Sequence, residues 1–336
     1  MMRALKFILQ SQLKRSKVIE PVAGFSLIEL LVAMILAVLV ITPLFGFMIS
    51  VMNTDRQEQA KATTEQEIQA ALDYIARDLQ QAVYIYDADG ITRNRNTTTI
   101  ASSGIRDQIP PVKSAPNCSP TSASNPSVCT PILVFWKREF VADSVRVSSA
   151  ADSEKDDGFA YSLVAYYLIT NPNSANSKWS PSARIGRFEL RGPVNATYSS
   201  VTAQAGFNPP PLSESVIGST LKEKMNQWQS SLDETGSYTQ RVETLVDFIS
   251  TTGPAITTNT AGVCPGTNAS PKLVGSLTSG FFACIDTSQV VAQVYLRGNA
   301  FARLYNHNNI TFTNTVSTYF PSASIRVQGR GFLFTN

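Results

Sequence analysis

From Phe25 to Val51 the chain runs 27 residues with a single charge, Glu29. About 20 apolar residues in a helix cross the hydrocarbon of a bilayer, so this run spans one with some tilt. Past Asn53 the polar content rises, yet Ile68, Ala71, Leu72, Ile75, Leu79, Ala82 and Val83 recur at spacings of three and four. That is the single apolar stripe of an amphipathic helix. Asp73 and Arg77 stand four apart on its polar side, in the favourable order. No proline falls between Met52 and Gly90, and Gly90 is the first glycine. One helix from Phe25 to Ile85 is therefore expected, about 90 Å long at 1.5 Å per residue, with Gly90 as its breaker. Its first half is apolar all round and needs lipid or other helices. Its second half needs a folded domain. Thr42-Pro43 interrupts the first half, where a proline removes a backbone hydrogen bond and kinks a helix.

Beyond residue 90 the period changes. Residues 91–131 hold Pro110, Pro111, Pro116, Pro120, Pro126 and Pro131 and read as loop. Short β-branched and aromatic runs follow at 132–140, 160–169, 184–191, 242–249, 290–297 and 324–332, each a strand by composition or alternation, with 242–249 a strand or a turn leading into one. Residues 192–215, around Pro209-Pro-Pro211, are loop again, and 221–232 has the composition of a short helix. The expected class is α+β: a long N-terminal helix packed on an antiparallel β-sheet domain, with long loops between strands. There is no internal repeat.

Charge separates the first residues from the rest. Arg3, Lys6, Lys14, Arg15 and Lys17 against Glu20 give Met1–Gly24 a net of +4, whereas the whole chain carries +3. Without those 24 residues about −1 remains, so charge offers no support for a nucleic-acid partner. Cations ahead of an apolar run hold that end in the cytoplasm and send the C-terminal side across. A secretory signal peptide has a shorter apolar region with small residues after it. Here the small pair, Ala23-Gly24, comes before it.

Gly24-Phe25-Ser-Leu-Ile-Glu29-Leu-Leu-Val-Ala resembles a type IV prepilin cleavage site. The resemblance implies that a prepilin peptidase cuts after Gly24 on the cytoplasmic side and methylates the new amine on Phe25. It implies a type IV pilin-like fold and a division into leader (1–24), transmembrane or filament-core helix (25–52), amphipathic half of the same helix (53–90) and β-rich periplasmic or extracellular domain (91–336). In that family the carboxylate at the Glu29 position pairs with the N-terminal amine of a neighbouring subunit. A proline near Pro43 marks where the helix melts on assembly. Pseudopilins at the filament tip often lack the glutamate, which argues that this subunit sits below at least one other. The chain's length is similar to that of larger minor pilins, the PilW group and the J-type pseudopilins of type II secretion. Leu245-Val-Asp-Phe-Ile249 and Gln293-Val-Tyr-Leu-Arg297 resemble the C-terminal half of that group. The layout also resembles the hormogonium polysaccharide secretion pseudopilins of cyanobacteria.

The four cysteines pair most simply by neighbourhood, Cys118 with Cys129 and Cys264 with Cys284, although four allow three pairings. Outside the cytoplasm such pairs are expected as disulfides, and the zinc alternative lacks short C-x-x-C ligand pairs. Catalytic constellations are poor. His307, the one histidine, lies in loop composition, with neither a phosphate loop nor a nucleophile elbow. Asp152, Glu154, Asp156 and Asp157 before Gly158 offer hard oxygen ligands for calcium, as do Asp87 and Asp89, but neither stretch matches an EF-hand loop. Solvated acidic turns are the simpler account. Asn96, Asn195, Asn268 and Asn309 fit glycosylation acceptors, which carry little weight in a prokaryote, the source that the prepilin signature implies.

These residues describe a non-enzymatic filament subunit with no cofactor. Its expected partners are the lipid bilayer, the prepilin peptidase, an inner-membrane assembly platform and other pilin or pseudopilin subunits. Its expected place is the inner membrane as a single-pass protein with a periplasmic C-terminal domain, then the filament. It would prime or cap assembly for motility or for export of protein or polysaccharide. Two other readings compete: an adhesin or DNA-uptake minor pilin binding a ligand through its globular domain, and a membrane-anchored hydrolase.

Overall fold

Ala60, Thr64, Ile68, Ala71, Leu72, Ile75, Ala76 and Leu79 form the buried face of one helix, α1 (Leu27–Gln80). Those spacings of three and four are the stripe read from the sequence as far as Leu79. The computed structural model describes residues 24, 26–122, 127–147, 154–170, 178–194, 199–213, 215–254, 264, 272–305 and 311–331. The chain divides into two units at Asp55. In the first, the described helical residues are exposed along their length, and this part of α1 is long and apolar enough to cross a membrane.

The second unit, from Arg56 onward, is α+β. Five antiparallel strands form one sheet in the order β1 (Ala82–Ile85), β2 (Val128–Arg146), β3 (Lys155–Thr170), β4 (Ala183–Pro193), β5 (Glu243–Ile249). Four more form a second sheet in the order β6 (Lys272–Gly275), β7 (Phe281–Asp286), β8 (Val291–Arg297), β9 (Ser322–Gln328). Short helices α2 (Ala88–Thr92), α3 (Leu221–Met225) and α4 (Ala300–Tyr305) connect them. The runs at 132–140, 160–169, 184–191 and 242–249 are strands of the first sheet. Those at 290–297 and 324–332 belong to a sheet of their own, β9 ending at Gln328. The composition-based helix over 221–232 is one turn, closed by a Thr220–Glu223 capping box.

The expected helix end moves. α1 stops at Gln80, and Ala82–Ile85 is β1, paired with β2. The cause is Ala82-Val-Tyr-Ile85, whose β-branched and aromatic side chains favour a half-buried pleat. Ala82 and Val83 are buried as expected, but from a strand. The freed carbonyls are taken: Arg330, Arg138 and Gly331 donate backbone N–H groups to Gln80, Gln81 and Ala82 at 3.0, 3.2 and 3.1 Å. A side chain at Gly331 would collide with Val83, so this return of the chain requires glycine. Gly90 is not the breaker. It lies inside α2, whose N-cap Asp87 accepts its N–H at 3.1 Å.

The proline-rich stretch after residue 90 is packed. Ile105, Ile109, Ala115 and Cys118 are buried within it, and Tyr238 donates its hydroxyl to Gln108 O at 2.5 Å. Trp136 on β2 centres the aromatic core. Its indole meets Trp228 edge-on at 5.6 Å and donates to the Tyr86 hydroxyl at 3.1 Å, which donates on to Met225 O at 3.0 Å.

Candidate functional site

Helix α1 begins at Leu27, three residues after Gly24 of the small pair Ala23-Gly24. Gly24 is exposed, with open space where a Cβ would stand, and Phe25 lies outside the described residues. Ser26 caps the first turn: its hydroxyl accepts the Glu29 N–H at 3.2 Å and its carbonyl accepts the Leu30 N–H at 3.1 Å. Glu29 is thus a first-turn acid of α1, the position at which a carboxylate faces the positive end of the helix. It is the one charged side chain between Ser26 and Met52. Pro43 lies inside α1 and does not end it. Thr42, beside it, donates its hydroxyl to Val38 O at 2.7 Å.

The cysteines divide. Cys264 and Cys284 form a disulfide across 20 residues, fixing the chain before β6 to β7. Cys118 and Cys129, expected as a second disulfide, are instead buried free thiols in contact. The neighbouring Cys129 thiol and burial push the Cys118 thiol up. Removing the 264–284 bridge by a paired Cys→Ser replacement should lower unfolding stability by about 3 kcal/mol, the loop-closure value for a loop of this size. Pulse proteolysis in urea, with and without reductant, checks it: reductant should move the parent toward the variant and leave the variant unchanged.

Among the described residues neither acidic stretch assembles a cation site. Asp152 lies outside the described residues. Glu154 and Asp156 are exposed beside the β2–β3 turn, and Asp157 accepts the Asp143 N–H at 3.1 Å, capping the bulge at Val141–Val145. Between Asp87 and Asp89 a cation already stands, the Lys222 ammonium at 2.6 and 3.2 Å. Among the described residues no three His, Cys, Asp or Glu side chains gather as metal ligands. His307 falls outside the described residues.

One charged cluster escaped the sequence reading. Asp78 stands on the buried face of α1 beneath the first sheet. It receives Lys137 at 3.2 Å, Arg187 at 2.8 Å and the Tyr166 hydroxyl at 2.6 Å. Glu189 bridges Lys137 and Arg187 at 3.1 and 2.7 Å. Glu139 joins Lys137 and also Arg191, the latter at 3.3 Å. Three acids thus meet three bases. Burial alone would raise the Asp78 carboxyl, but Arg187, Lys137 and Tyr166 hold it below its usual value. Burial likewise opposes ionisation of Glu189, and Arg187 and Lys137 outweigh it. Burial would lower Lys137, and Asp78, Glu189 and Glu139 raise it. The sequence did carry a signal. Asp78 is the one charge on the stripe of Ala71, Ile75 and Leu79, and Arg187, Glu189 and Arg191 alternate on one strand face.

No family model, no curated protein and no solved structure matches the chain.

Proposed function

We propose that the chain is a membrane-anchored subunit of a type IV pilus-like or pseudopilus filament, processed after Gly24 and held by α1 until an assembly machine extracts it. The observation that carries this reading is the start of α1. The small pair Ala23-Gly24 is followed within three residues by α1, whose exposed apolar part as far as Met52 holds one charge, Glu29, in the first turn. A plain anchor has no use for a carboxylate there, because it opposes insertion. A filament core has one: the amine freed on Phe25 of one subunit meets Glu29 of the next and sets the register of otherwise featureless apolar rods. The five cations of residues 1–17 support a cytoplasmic N-terminus and a globular unit on the far side. The Cys264–Cys284 disulfide suits an oxidising compartment.

N-terminal sequencing of the protein from cells with and without the prepilin peptidase tests the reading. The mature chain should begin at Phe25, bearing one added methyl group, and should keep its first 24 residues where the peptidase is deleted. A functioning protein that retains those residues in the parent strain would sink the proposal.

A further inference from the structure

The stretch of α1 that opens the second unit carries an aromatic stack. Tyr319, which closes the short turn Asn314–Tyr319, donates its hydroxyl to the Gln57 side-chain oxygen at 2.8 Å. The Lys61 ammonium stands 4.3 Å from the centre of the same ring. Phe301, on α4, stacks on Tyr319 with centroids 4.0 Å apart and planes 21° apart. Tyr305, at the end of α4, stacks on Phe301 at 6.1 Å and 26°. Phe301 and Tyr319 are half-buried, whereas Tyr305 is 52% exposed. The turn beside them is exposed and uncharged, through Thr313, Asn314, Thr315, Ser317 and Thr318.

The chain itself limits how far this stack can stand from the apolar run. That run ends at Met52, and Gln57 follows after about 8 Å of helix, or no more than about 18 Å of chain in any conformation. The headgroup layer on each side of the hydrocarbon is about 5–8 Å deep. Through its bond to Gln57, Tyr319 is therefore tied to the depth at which a spanning α1 reaches the lipid headgroups. Tyrosine favours that depth, because its ring is apolar and its hydroxyl is wet. Charge is balanced here: Arg56 and Lys61 stand against Asp55 and Glu58, and Arg303 is paired with Glu67. Phe140, also exposed, provides a contrast. Arg138, two residues before it, donates its backbone N–H to Gln81 O, about 35 Å along α1 from Gln57.

We infer that Tyr305 and the stack behind it rest in the headgroup layer of a zwitterionic lipid surface, so that the globular unit touches the bilayer with a face of its own. The inference rests on the membrane anchor of the proposed function and adds a second contact to it. The short tether selects lipid as the occupant, since a spanning α1 keeps this face at the bilayer. The balanced charge selects a zwitterionic surface over an anionic one, because the rings rather than a basic patch make the contact. Tyr305 supplies the exposed ring, and Phe301, Tyr319 and Lys61 hold it in place.

Depth-dependent quenching of tryptophan tests this in the full chain, reconstituted singly into phosphatidylcholine nanodiscs. Some discs carry a nitroxide on the lipid headgroup and others carry bromine on the acyl chains. Tyr305→Trp, Phe140→Trp and Phe47→Trp are each compared with the parent, whose own tryptophan emission is subtracted. The added emission of Tyr305→Trp should be mostly lost to the headgroup nitroxide and largely kept with brominated chains. Phe140→Trp should be quenched by neither, and Phe47→Trp, in the apolar run, should be quenched by bromine. If Phe47→Trp is quenched and Tyr305→Trp is not, the anchor stands and the lipid contact is overturned. A blue shift of Tyr305→Trp without quenching would give this face to a second copy of the chain, and equal quenching of Phe140→Trp would show no preference for it; either overturns the inference. Failure of bromine to quench Phe47→Trp would instead remove the spanning helix, and this contact with it.

Discussion

Asp78→Ala should cost about 3–5 kcal/mol of unfolding stability, the range for a buried ion cluster that loses one partner. The loss comes from what remains. Lys137 and Arg187 stay buried beside α1 with one acid fewer, and the Tyr166 hydroxyl loses its acceptor. Removing opposite charges together is a different experiment. Asp78→Leu with Arg187→Met leaves Glu139 and Glu189 against Lys137 and Arg191, still balanced, and should recover much of the loss. Urea unfolding followed by the fluorescence of buried Trp136 and Trp228 reads both changes. The same cluster sets an acid limit. Asp78 and Glu189 have folded-state pKa values below their usual 3.8 and 4.5. Their stabilisation is therefore present above those usual values and is lost as pH falls through the lower, folded ones. The double replacement should flatten that acid limb. If its stability falls with pH as steeply as the parent's, the cluster is not what holds the helix to the sheet under acid.

Glu29→Leu should leave the chain in the membrane and remove it from the sheared filament fraction by more than tenfold, if the proposed amine–carboxylate pairing holds. Two effects of the carboxylate differ in size and can be separated. Its local role as a first-turn acid capped by Ser26 contributes about 0.3–1 kcal/mol to the helix. Losing one partner of a charge pair inside an apolar bundle costs about 3–5 kcal/mol. Insertion itself should not suffer, because removing a charge from an apolar segment favours it. Immunoblots of sheared filaments, normalised to the membrane pool, measure the effect. Glu29→Gln separates charge from shape: it keeps the side-chain volume and should fail almost as badly. Incorporation of either variant at parental levels would mean that the carboxylate serves only its own helix.

Several features were legible in the residues before any fold was known. The apolar run after Gly24, the stripe to Leu79 and the strands at 132–140, 160–169, 184–191, 242–249 and 290–297 are all present. Each rests on periodicity or on an unbroken apolar segment, which are properties of neighbours along the chain. The Cys264–Cys284 pair also followed neighbourhood. Cys118 and Cys129 satisfied the same spacing argument and yet stand as two thiols.

The helix end at Gln80 needed a partner strand. Val83-Tyr-Ile85 continues the helical spacing well enough to look like one more turn, and β2 outbids it by offering a ladder of hydrogen bonds and a buried face. The split into two sheets, the packing of the proline-rich segment and the balanced cluster around Asp78 have the same origin. Each joins residues far apart in sequence, as Asp78 and Arg187 are. The sequence by itself determined the membrane-length rod, its lone carboxylate and the rhythm of the strands, because those patterns are local. Only tertiary structure decided which buried charge meets which, because burial and pairing depend on segments the chain brings together from a distance.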